Sequence, residues 1–108
     1  MSEAPQRKII PGVKMNLGGD DYIIPPLNLY SLEILQKKIE GLPDALAASG
    51  GLPNPEQMKD IVEIFLHAAQ RNYPELTAAD AMKFIDVGNI IPLFQAVMNV
   101  SGVQRAGE

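Results

Sequence analysis

Apolar residues recur along this chain at two different periods, and the periods divide it into elements. Val13, Met15 and Leu17 alternate with Lys14 and Asn16, the two-residue period of a half-buried strand. Gly18 and Gly19 supply a turn that tolerates positive φ, and Asp20-Asp21 extends it. Tyr22 to Ile24 reads as the return strand, closed by Pro25-Pro26. A lone hairpin is marginal in water, so this one must rest on helices or pair with something else.

From Asn28 onward the period is that of helices. A first helix is predicted over Leu29 to Glu40, with Asn28 as N-cap and Gly41 as its stop. Its core stripe is Leu32, Leu35, Ile39 and Leu42, while Tyr30 and Ile34 sit four apart on another face. Pro43 to Pro53 reads as a spacer holding a short helical turn, most mobile over residues 49–53.

The central helix, within Asn54 to Tyr73, opens with Asn54 as N-cap and Pro55 at the first position. Met58, Ile61, Val62, Phe65 and Ala69 follow on one face, and Ile64 and Ala68 widen it enough for neighbours on two sides. Pro74 stops this helix. Thr77 caps a third helix, with Asp80 at the capping-box position, a buried stripe of Ala78, Ala81, Met82 and Ile85, and Gly88 as its end. Asn89 caps a fourth from Ile90 to about Ser101, with Pro92 tolerated in the first turn and Gly102 ending it.

The expected fold is therefore mainly α: a small N-terminal hairpin, residues 12–26, packed on a four-helix domain that spans 12–102. Flexible segments are expected over 1–11 and 103–108. A length of 108 residues favours one domain and can bury a core without staples.

Composition narrows the chemistry. With no cysteine there is neither a disulfide framework nor a thiolate metal site, which fits a cytoplasmic protein. A net charge of −4 disfavours non-specific nucleic-acid binding. No signal-peptide run or bilayer-spanning stretch is visible, so no membrane partner is expected. No cofactor is expected. The single histidine, His67, reads as part of a solvated Glu63–His67–Arg71 ladder rather than as a general base in a cleft. Asp20-Asp21 gives too few oxygens for calcium, and Gly18-Gly19 lacks the lysine and following helix of a phosphate loop. No serine has a nucleophile-elbow context, so no catalytic or metal residue is assigned.

Between Asp86 and Arg105 there is no charged residue. Ile90, Ile91, Leu93, Phe94, Val97, Met98 and Val100 cover half the fourth helix or more. Either this helix is simply buried, or part of it closes a subunit interface, whose core is typically depleted of charge. The interface candidates are Tyr30 and Ile34 on the first helix, and Ile91, Phe94 and Met98 on the fourth.

A glycine-turned hairpin leads into IIPPLNLYSLEILQKKI, then a spacer, then IVEIFLHAAQRNYPELTAADAMKFIDVGNIIPLFQAVMNVSG. This order resembles the tail assembly chaperones of long-tailed bacteriophages and prophages, over about Val13 to Gly102. The resemblance implies a helical, non-enzymatic protein of the bacterial host cytoplasm, absent from the finished virion. Members coat the hydrophobic tape measure protein and self-associate in open, spiral arrangements. In many phages a longer form, made by ribosomal frameshifting, recruits the tail tube protein; this chain would be the short form. The alternatives are a structural virion component, such as a head–tail connector or minor tail protein, and a helix-turn-helix domain. The uncharged fourth helix argues against the last, since a recognition helix needs polar side chains.

Overall fold

Local sequence signals start most of the elements in the computed structural model, which describes residues 9–48 and 50–102. The chain is mainly helical, with a two-stranded hairpin ahead of four helices. The order is β1 (Val13–Leu17), β2 (Asp20–Ile24), α1 (Leu29–Ala48), α2 (Pro55–Ala69), α3 (Ala78–Phe84) and α4 (Ile90–Val100). The arm and tail expected at the ends fall outside the described residues, apart from residues 9–11.

β1 and β2 pair antiparallel, Val13 opposite Ile24 and Leu17 opposite Asp20. Gly18 and Gly19 both have positive φ, at 63° and 91°, as a primed two-residue turn requires. Residues 9–12 cross the end of β2 so closely that only glycine fits at position 12. A Cβ there would lie 2.0 Å from the Ile24 carbonyl oxygen.

α2 is the axis of the fold. It packs against α1, α3, α4 and β2, as its broad apolar face demands. Ile61, Ile64, Phe65, Ala68 and Ala69 are fully buried. Asn54 and Gln57 exchange side-chain and backbone hydrogen bonds in a capping box. The helix ends at Ala69, before Pro74, in a corner where the Asn72 and Tyr73 amides both donate to the Ala69 carbonyl.

α1 does not stop at Gly41. It continues through Gly41 and Pro43 to Ala48, absorbing the turn predicted within the spacer. Gly41 costs about 1 kcal/mol in a helix interior, and Pro43 about 3 kcal/mol because it cannot donate to the Ile39 carbonyl. Leu42 and Leu46 extend the buried stripe of Leu35 and Ile39 by one turn each. Their burial contributes about 1.5–3 kcal/mol apiece, a gain of the same size as the two costs together. Gly51 then donates to the Leu46 carbonyl and closes the helix.

α3 is shorter than expected. Thr77 and Asp80 form the predicted capping box, but the helix ends at Phe84, with Ile85 already extended, and not at Gly88. Only Ala81 of the predicted stripe is fully buried; Met82 is 63 % exposed. Phe84 takes the inward position instead, 6.1 Å ring to ring from Phe65. Asn89 does not cap α4 with its side chain. Its Oδ1 accepts from the Asp86 amide while Asp86 Oδ1 accepts from the Asn89 amide, so the reciprocal exchange sits one turn earlier.

Candidate functional site

Two surface regions and one polar seam hold the residues with functional potential. The expected Glu63–His67–Arg71 ladder along α2 does not form. Each member instead reaches to another part of the chain. Lys38 of α1 donates to Glu63 at 2.5 Å and lies 3.3 Å from Asp60. His67 Nδ1 is 3.1 Å from Ser31 Oγ, and Arg71 donates to the Pro26 carbonyl at 2.6 Å. The first two contacts fasten α1 to α2, and the third ties the corner after α2 to the segment before α1. The hydrogen bond to Glu63, then that to Asp60, raises the Lys38 pKa above the ordinary lysine value. Ser31 is buried and its amide donates to Asn28 Oδ1, so the Ser31–His67 pair is a link within the fold rather than a presented nucleophile.

A second polar cluster is invisible in the sequence. Asn72 is fully buried, and its amide side chain acts as a backbone clip. Oδ1 accepts from the Ile10 amide at 2.7 Å, while Nδ2 donates to the Ile10 and Ile23 carbonyls at 3.0 and 2.9 Å. The Tyr73 hydroxyl accepts from the Ile23 amide at 2.9 Å. The backbone groups of Ile23 point away from β1, and these two side chains satisfy them where a third strand otherwise would.

The first surface region is the outer side of α1. Leu29 is 84 % exposed, Tyr30 68 % and Ile34 49 %. At about 100° per residue, Tyr30, Glu33, Ile34 and Lys37 form one strip opposite the buried Leu35–Ile39–Leu42 stripe. Leu29, the first residue of the helix, belongs to the same exposed end.

The fourth-helix candidates fare differently. Phe94 and Met98 are 5 % and 8 % exposed within the single chain, which corrects their assignment to an interface. α4 packs on α2 and also on β1, and two neighbours cover a wider arc than one. Ile91 is half-buried against the same core. The exposed positions of α4 are Pro92, Gln95 and Asn99, none of them charged.

The second surface region is an open groove of about 510 Å³ between the hairpin, the α2–α3 corner and α3. Tyr22, Tyr73 and Phe84 line it with Gly18 and Leu76, and Glu75, Asp80 and Lys83 are its charged residues. Tyr22 and Tyr73 meet edge to face at 5.1 Å, and Tyr22 and Phe84 are 5.6 Å apart. Three elements contribute these rings, so no local motif announces the groove.

Among the described residues no group of three or more His, Asp or Glu side chains converges as a metal site. No helix among them is long and apolar enough to cross a membrane. No protein-family model, curated protein sequence or solved structure matches the chain.

Proposed function

We propose that the chain is a non-enzymatic tail assembly chaperone of a long-tailed bacteriophage or prophage. It works in the host cytoplasm, associates with its own copies and coats the tape measure protein until the tail tube closes around it. The observation that supports this reading most is the row of exposed apolar side chains, Leu29, Tyr30 and Ile34, on the first turns of α1. An acidic, soluble body with such a row has what a holdase for an apolar helix needs: surface that adheres and net charge that keeps the complex dispersed. Helix-in-groove docking is the natural mode for an amphipathic client. A longer, frameshifted form would bring the tail tube protein to the same complex.

Coexpression with the tape measure protein of the same genome tests the proposal. The expected result is a soluble, co-purifying complex, with the client insoluble when expressed alone. A client equally insoluble in the presence of the chain contradicts it. Mass spectrometry of purified particles separates this reading from a structural virion component: the chaperone is expected to be missing.

A further inference from the structure

The two exposed regions each carry charges of both signs: Glu33 and Lys37 on the α1 strip, and Lys83 with Glu75 and Asp80 at the groove. On the outer strip of α1, Glu33 and Lys37 flank Ile34 at four-residue spacing, which is about 6 Å of helix rise. Beside the aromatic groove, Asp80 and Lys83 stand three residues apart on α3, about 4.5 Å of rise. Glu33, Lys37 and Lys83 are exposed, and their side chains make no hydrogen bond or ion pair among the described residues. Each strip reads acid then base in chain direction. Opposite signs therefore meet only if the two helices run antiparallel, with Glu33 against Lys83 and Lys37 against Asp80. In that alignment Tyr30 and Ile34 face the groove floored by Tyr22, Tyr73 and Phe84, where aromatic and aliphatic surface is open to receive them.

We infer that the occupant of this groove is a second copy of the chain, with the α1 strip of one copy lying antiparallel along α3 of the next. The inference rests on the self-association contained in the proposed function and assigns its surfaces. The two patches are different parts of one subunit, α1 and α3 both being attached to α2. The contact is therefore heterologous: each copy keeps one free strip and one free groove, and addition continues. Charge pairing sets direction and register, while Tyr30 and Ile34 supply the apolar burial.

Charge reversal of the full chain, followed by sedimentation velocity, tests the inference. Wild type is expected to form species larger than a dimer as concentration rises. Glu33→Lys and Lys83→Glu are each expected to weaken assembly at least about tenfold, because like charges then oppose across the contact. The double variant E33K/K83E restores it. An equimolar mixture of the two single variants assembles again in alternating order, since both contacts between unlike variants pair opposite charges and only the contacts between like variants do not. Both positions are exposed, so unchanged circular dichroism is expected and distinguishes lost assembly from unfolding. Assembly by wild type that neither single reversal weakens overturns the assigned surfaces while leaving self-association standing. A double variant that stays folded and fails to recover overturns the pairing. A wild type that remains monomeric overturns the inference, while binding of the tape measure protein, read separately by coexpression, still decides the chaperone reading.

Discussion

α1 and α4 present the same ingredients to opposite ends. Each carries more apolar side chains than one helix–helix contact can cover. α4 packs on both α2 and β1, and its Leu93, Phe94, Val97 and Met98 are buried. α1 packs principally on α2, and Leu29, Tyr30 and Ile34 remain in solvent. The difference lies in the number of neighbours, not in the hydrophobicity of the helix. The more apolar of the two, and the one without charge, is the one that the fold consumes.

The largest effect expected from breaking this contrast is on α4. Phe94→Ala should destabilise the chain by about 3–5 kcal/mol, and Phe94→Asp should leave no cooperative unfolding transition by circular dichroism. If either variant stays folded and loses only self-association, α4 is a contact surface after all. Next is the Asn72 clip. Asn72→Ala removes the partner of two backbone carbonyls and one amide, and a single orphaned buried group costs about 1–3 kcal/mol. Chemical denaturation should show a loss within or above that range, and a loss below about 0.5 kcal/mol would mean that water replaces the clip.

Smaller still is the expected effect of the outer strip on stability. Tyr30→Ser with Ile34→Ser should shift the unfolding free energy by no more than about 0.5 kcal/mol per site, as for surface positions generally. The smallest effect concerns Lys38. Its folded-state pKa is raised by the Glu63 and Asp60 contacts, so its stabilisation is fully present below the ordinary lysine pKa of about 10.4 and is lost as pH rises through the folded value. Denaturation midpoints of wild type should therefore decline across that alkaline window more than those of Lys38→Met.

The parts of the fold that were legible in the sequence are those set by neighbours along the chain. The Gly18-Gly19 turn, the Asn54 and Thr77 caps and the α2 stripe each depend on a few consecutive residues. The misreadings are tertiary. Gly41 and Pro43 look like a stop until Leu42 and Leu46 are seen to bury against the core. α3 ends one turn early, and Phe84 rather than Met82 is its inward residue. Asn72 resembled any corner asparagine, because its partners lie 49 and 62 residues away. For the candidate site, Tyr30 and Ile34 were readable as a second face of α1. The groove was not, since Tyr22, Tyr73 and Phe84 meet only after the hairpin docks on the α2–α3 corner.

Adhesion through the outer strip of α1 is the central claim, and sedimentation equilibrium of wild type beside the Tyr30→Ser/Ile34→Ser variant measures it most directly. The account predicts concentration-dependent association of wild type, a monomeric variant, and matching circular dichroism for the two. Equal association by both folded proteins, or a wild type monomeric throughout, would contradict it.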